Sequence, residues 1–434
     1  MASSLSSIAE LPRDEAFAIT ADFLADEHPL KVNLGAGVYR DENSKPWILP
    51  SVREAKQRLH AIPTLDHEYL PIQGSEPFLS VARALILGED NDPSQASTPV
   101  VSIQTISGTG ANHLAAAFLA ETLDPKPTHV FISDPTWSNH HLIWEVAAPH
   151  VARRSYPYYD PQRRALAFDA MVATLEAEAV ENDVVILHAC AHNPTGIDPS
   201  EHQWRAIAEV IRRKKLFPLF DAAYQGFASG DVDRDAWAVR YFRRALFDST
   251  ARGRPDWPQG MGIAQSFAKN FGLYGERVGA FHLVLPARPG DSTSQSAVGS
   301  GARSHLLRLV RASISNAPQF GSRIVAMVLS DVELARMWKA DLQTMAGRIK
   351  RMRSLLRREI EKHGSEVGNW RHLEEQIGMF SYTGLGEEHV RRLREVHHVY
   401  LMRSGRASLC GVTEANVGYV AGAIADVVRH FDRR

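Results

Sequence analysis

Between residues 129 and 285 the chain repeats one pattern: a short apolar run, a polar or glycine-rich turn, then apolar residues spaced three and four apart. The runs are HVFISD (129–134), DVVILHAC (183–190), LFPLFDAA (216–223), GIAQSF (262–267) and AFHLVL (280–285). Little polar alternation interrupts them, which predicts strands covered on both faces in a mainly parallel sheet. Helices fit between the runs. SEHQWRAIAEVIRRKK (200–215) opens on a serine suited to capping and closes on basic residues that complement the helix dipole. From about 340 the texture changes: GRIKRMRSLLRREIEKHG (347–364) reads as helix, short strands follow near 377–382 and 398–402, and a last helix spans 413–431. The prediction is an α/β fold, a large domain with a mainly parallel sheet covered by helices, followed by a smaller α+β domain. ARGRPDWPQGMG (251–262) and PARPGDSTSQSAVGSGARS (286–304) read as surface loops.

The polar residues that follow each run carry the first functional signal. Trp137 and His140 come after the first run, Asn193 after the second, Asp221 and Tyr224 close the third, and Lys269 closes the fourth. In open α/β sheets ligands sit beyond the carboxyl ends of the strands, so these side chains can converge on one pocket.

Composition narrows the alternatives. A chain of 434 residues exceeds what one core usually supports, so two domains are expected. The formal net charge of −1 supplies no global attraction to nucleic acid or membrane, so a bound anion must be held by a local site. Cys190 and Cys410 are the two cysteines, too few for a disulfide framework or a thiolate zinc site. No apolar run reaches the length of a membrane span, and the N-terminus matches neither a secretory nor a transit peptide, which points to a cytoplasmic protein. His188-Ala-Cys-Ala-His192 has the spacing of a metal pair on a helix, but it runs from a strand into a turn with no suitable carboxylate after it, so no metal site is expected. A non-catalytic nucleic-acid-binding reading needs a basic module that the first forty residues do not supply.

Two segments carry chemistry. SGTGA (107–111) opens a helix with a glycine turn, so backbone N–H groups and the helix dipole favour an anion at Ser107, Gly108 and Thr109. QSFAKNFGLYGERVG (265–279) sets Lys269 between a strand end and a glycine-rich turn. A partly buried lysine there can lose its proton and form a Schiff base with an aldehyde cofactor. Ser266 and Arg277 are close enough in sequence to join the same anion site.

Together these segments resemble the aspartate aminotransferases of the fold-type I pyridoxal-phosphate enzymes. The likeness runs in order through KVNLGAGVYRDE (31–42), HEYLPIQG (67–74), QTISGTGA (104–111), DPTWSNH (134–140), HACAHNPTGIDP (188–199), LFPLFDAAYQGFASGD (216–231), SFAKNFGLYGERVG (266–279), SNAPQFGSRIVA (315–326) and IGMFSYTGL (377–385). It implies pyridoxal 5′-phosphate as cofactor, a large domain over 46–344, and a small domain built from 1–45 and 345–434. Lys269 would hold the cofactor aldehyde and move protons. Asp221 would pair with the ring nitrogen, supported by His140. Tyr224 and Asn193 would bond the ring's phenolic oxygen, and Trp137 would stack on the ring. Ser107, Gly108, Thr109, Ser266 and Arg277 would hold the phosphate, with Tyr69 reaching in from a second subunit of a homodimer with shared active sites.

The resemblance also implies the substrate contacts. Arg406 would take the α-carboxylate and Arg311, from the second subunit, a distal carboxylate. Gly37, Phe380, Trp137 and Asn193 would line the substrate pocket. The implied reaction exchanges the amino group of L-aspartate with 2-oxoglutarate by a ping-pong cycle, giving oxaloacetate and L-glutamate. Ala268, Gly275, SNAP (315–318) and RASLCG (406–411) depart from the family pattern, which opens a second expectation of a diverged paralogue acting on aromatic or other acidic amino acids such as cysteate.

Overall fold

The computed structural model describes residues 5–88, 99–247, 258–286 and 299–431. The chain divides into two compact units. The larger comprises Pro46–Lys350 with Glu375–Met379; the smaller comprises Met1–Lys45, Arg351–Glu374 and Phe380–Arg434.

The large unit is organised by seven strands: β1 (Val100–Ile106), β2 (His129–Asp134), β3 (Ala152–Pro157), β4 (Val184–His188), β5 (Phe217–Ala222), β6 (Met261–Ser266) and β7 (Val278–Val284). Their order across the sheet is β1-β7-β6-β5-β4-β2-β3. Every neighbouring pair is parallel except those made by β7, which is antiparallel to both β1 and β6. The mainly parallel sheet is as the apolar runs predict. Alternate residues feed two separate cores: Val130, Ile132, Val184, Ile186 and Leu219 on one face, and Phe131, Val185, Leu187 and Phe220 on the other. Apolar residues at both phases of the strand period therefore bury both faces.

The helix Glu201–Arg213 begins at Ser200, whose hydroxyl accepts from the Gln203 amide while the Gln203 side chain accepts from the Ser200 amide. It buries Trp204, Ile207, Ala208, Val210 and Ile211 on one face. Loop 251–262 lies outside the described residues over 251–257, and its last two residues open β6. Of 286–304, residues 287–298 lie outside the described residues. The stretch from Ser300 is not loop but the start of the helix Ser300–Ser313, because the glycines and serines there are followed at once by the apolar spacing of Leu306 and Val310.

In the small unit Val32–Asn33 pairs in parallel with Val399–Tyr400, and Phe380–Tyr382 pairs antiparallel with Arg406–Ser408. The last helix, Val417–Phe431, buries Val420, Ala421, Ile424 and Val428. Among the described residues no helix is long and apolar enough to cross a membrane.

Candidate active site

The sheet edge formed by the carboxyl ends of β1, β2, β4, β5 and β6 carries the polar residues of the large unit. Because β7 runs the other way, its leading end reaches the same edge: Val278 pairs with Ile106 and Gly279 with Ser266. The Ser107 amide then donates to the Arg277 carbonyl at 3.0 Å. A Cβ at position 279 would lie 2.5 Å from the Ser107 carbonyl carbon, so this close crossing requires glycine.

An anion cradle results. Ser107 and Ser266 join through their hydroxyls at 3.0 Å, and the Ser266 hydroxyl also accepts from the Ala268 amide at 3.3 Å. A Cβ on Gly108 would meet Ser266 Cβ at 3.0 Å. The helix Ser107–Thr122 has no side-chain cap, so its first N–H groups remain available to an anion, with Thr109 half-buried in that turn. Arg277 is half-buried, pairs with no carboxylate among the described residues, and donates to the Tyr274 carbonyl at 3.0 Å. Burial pulls its pKa below the ordinary guanidinium value. A desolvated cation without a counter-charge is suited to a phosphate.

Asp221, on β5, is buried. Its Oδ2 accepts from His140 Nε2 at 3.0 Å and from Asn112 Nδ2 at 3.2 Å, which leaves Oδ1 for another donor. Burial alone would raise its pKa; the bond and charge of His140, with the Lys269 charge, outweigh burial and hold it below the ordinary carboxylate value. Behind His140 runs a directed chain of hydrogen bonds. The Asn193 amide donates to His188 Nδ1 at 3.3 Å, so the neutral ring carries its proton on Nε2, 3.4 Å from Thr136 Oγ1. Thr136 in turn lies 2.9 Å from His140 Nδ1, which directs the His140 Nε2 proton toward Asp221. Burial drives the His188 and His192 pKa values well below the ordinary imidazole value, which keeps both rings neutral. Among the described residues no group of side chains suits a metal ion.

Lys269 follows β6 and is half-buried, with Nζ 5.1 Å from the centroid of the buried Tyr224 ring. Trp137 is half-buried and meets His140 edge to face, with ring centroids 5.2 Å apart. Asn193 is buried as a residue, and its side-chain amide makes no hydrogen bond among the described residues. An uncapped anion cradle, a lysine, a carboxylate held ionised and an open amide acceptor and donor fit pyridoxal 5′-phosphate. That group combines a phosphate, an aldehyde, a basic ring nitrogen and a phenolic oxygen.

The small unit gathers a second set. Arg406 is buried, donates from Nη2 to the Gly35 carbonyl at 2.7 Å, and lies 4.2 Å from the Phe380 ring centroid. The register pairs Arg406 with Tyr382. A Cβ at Gly37 would reach Phe380 Cζ at 3.3 Å, so a glycine there leaves the ring its place over the guanidinium. Tyr69 and Arg311 join neither set. Tyr69 is 86% exposed, and Arg311 is exposed, bonds Ser315 Oγ and pairs with no carboxylate among the described residues. Reading the sequence misses Thr136, His188 and Asn112 as functional residues. The His188 signal was visible as part of a histidine pair, but its role depends on the tautomer that Asn193 imposes.

This fold and pocket define a pyridoxal-phosphate-dependent aminotransferase. Residues 29–424 match the family described as aminotransferase class I and II, and the chain belongs to it. It is 44% identical to the L-tyrosine:2-oxoglutarate aminotransferase ucdG of Aspergillus ustus, covering 97% of this chain and 78% of that one. It is 43% identical to the cytoplasmic aspartate aminotransferase of Saccharomyces cerevisiae, covering 97% and 96%. The solved structure of the aspartate aminotransferase from Saccharomyces cerevisiae cytoplasm superposes with a TM-score of 0.90, at 41% identity over 98% of each chain. An aromatic-amino-acid aminotransferase from Burkholderia pseudomallei, covalently bound to pyridoxal phosphate, superposes with a TM-score of 0.87, at 38% identity over 98% of this chain and 100% of that one.

Proposed function

We propose that the protein transfers the amino group of L-aspartate to 2-oxoglutarate, giving oxaloacetate and L-glutamate, as a cytoplasmic homodimer whose active sites are shared between subunits. The observation that carries this reading is the placement of Lys269 and Asp221 on adjoining strand ends beside an uncapped anion cradle. When bound, pyridoxal 5′-phosphate supplies an aldehyde that accepts the amino group and a ring that absorbs the electron pair left at the α-carbon. Lys269 would hold the cofactor aldehyde, and its freed Nζ would accept the α-proton of the bound amino acid as general base. Asp221 Oδ1 would keep a proton on the ring nitrogen, Asn193 and Tyr224 would bond the phenolic oxygen, and Trp137 would lie against the ring. Ser107, Gly108, Thr109, Ser266 and Arg277 hold the phosphate.

Arg406 binds the α-carboxylate through its guanidinium, with Phe380 and Gly37 beside it. Tyr69 and Arg311 serve the site of a second copy. Their exposure, and the lack of a carboxylate beside Arg311, support this role. The relatives in Aspergillus ustus and Burkholderia support a second reading, in which aromatic amino acids are also accepted.

Turnover of L-aspartate and of L-tyrosine with 2-oxoglutarate, in the wild type and in Arg311→Leu, tests both readings. The wild type is expected to use aspartate. The variant should lose about 100-fold in kcat/KM for aspartate, consistent with removing a charged pair, while tyrosine turnover holds. A wild type inactive on both amino acids refutes the function, and an unchanged preference in the variant refutes the role of Arg311.

A further inference from the structure

Asn112 lies in the middle of the helix Ser107–Thr122 and is 1% exposed. Its Nδ2 makes two hydrogen bonds, to the Gly108 carbonyl at 3.0 Å and to Asp221 Oδ2 at 3.2 Å. Both hydrogens of the amide are therefore spent. Its Oδ1 is buried without any partner. The amide cannot turn over, because that would aim Oδ1 at a carbonyl and a carboxylate together.

An orphaned buried acceptor costs about 1–3 kcal/mol, and an apolar side chain would avoid it. Packing therefore does not explain an asparagine here. The geometry does: one side chain ties Asp221 to Gly108, a residue of the anion cradle. Together with His140, it places two donors on the same carboxylate oxygen. The carboxylate plane is thereby fixed, and Oδ1 is the oxygen left to face the ring.

We propose that Asn112 is a positioning residue for transamination, which sets Asp221 in register with the phosphate cradle and weakens its hold on the ring-nitrogen proton. The inference rests on the pairing of Asp221 with the ring nitrogen proposed above. A donor to Oδ2 stabilises the ionised carboxylate, so the shared proton stays on the ring nitrogen and the ring keeps its electron-withdrawing character. Asn112 does not titrate, so its effect is constant across the working pH range. The two donors thus divide the task. His140 links Asp221 to Thr136 and His188, and Asn112 links it to the turn that anchors the phosphate.

The test is the ring-nitrogen ¹⁵N resonance of holoenzyme loaded with ¹⁵N-labelled pyridoxal 5′-phosphate, in the wild type, Asn112→Leu, Asn112→Ala and Asp221→Asn. Both Asn112 variants should move the resonance toward the unprotonated position. They should also lower kcat about tenfold with KM little changed, the scale of one hydrogen bond to a charged group. An unmoved resonance in both Asn112 variants, or loss of the cofactor from both, overturns the proposal. Asp221→Asn separates the two levels. If it moves the resonance and the Asn112 variants do not, only the role of Asn112 fails. If Asp221→Asn leaves it unmoved, the pairing of Asp221 with the ring fails as well.

Discussion

Asp221 and Asp235 are both buried aspartates of the large unit, at 8% and 4% exposure, yet their surroundings drive them in opposite directions. Asp221 receives His140 and Asn112 on one oxygen and feels the charge of Lys269, so it is held ionised despite burial. Asp235 sits in a separate cavity lined by Cys190, Asp198, Trp204 and Trp237. Burial raises its pKa to about 6; the Ser229 hydroxyl and amide and the Gly226 amide offset this only partly, and Asp198 adds repulsion. Burial is common to both, so burial does not mark the functional carboxylate. The difference lies in the imidazole and amide donors on Asp221 and the lysine charge near it, which Asp235 lacks.

The largest effect that bears on this contrast is expected from Asp221→Asn. Without the negative charge, turnover should fall by about 10³-fold, the scale of losing a preorganised electrostatic contact. The cofactor should remain bound through Ser107, Ser266 and Arg277, as its visible absorption would record. A loss smaller than tenfold would place Asp221 among ordinary buried carboxylates.

Asp235→Asn should do the opposite and stabilise the fold. Because the folded pKa is raised, the folded state binds the proton more tightly than the unfolded chain. Stability is therefore lost as pH climbs from the ordinary 3.8 to about 6, and it stays low above that. Relieving the penalty should add about 1–3 kcal/mol at pH 8 and nothing near pH 4, measured by denaturant unfolding at both values. Equal effects at the two pH values would remove the contrast.

What could be read in advance follows from the same physics. The strand His129–Asp134 coincides with its apolar run, and Val184–His188, Phe217–Ala222, Met261–Ser266 and Val278–Val284 shift from theirs by one or two residues, because burial on both faces leaves an unbroken run; Val100–Ile106, buried as well, is a strand that the sequence reading does not predict. The edge strand Ala152–Pro157 has no such run: its sequence, ARRSYP, is mostly exposed, and only pairing with β2 makes it a strand. The two-residue strands Val32–Asn33 and Val399–Tyr400 are too short to carry a period. Lys269, Asp221 and the cradle stand out because glycine turns and strand ends mark them. Asn112 does not, since an asparagine among helical alanines has no local signature; its meaning arises from Asp221, 109 residues away. Thr136 is equally silent until His188 and His140 are brought to either side of it.

The central claim is that the amine of Lys269 meets the cofactor aldehyde in a pocket anchored by the phosphate. Borohydride reduction of active holoenzyme, followed by peptide mass spectrometry, measures this directly. The account predicts the reduced cofactor attached to the peptide at Lys269, with activity lost in proportion. Activity that survives reduction, or attachment at a different lysine, would contradict it.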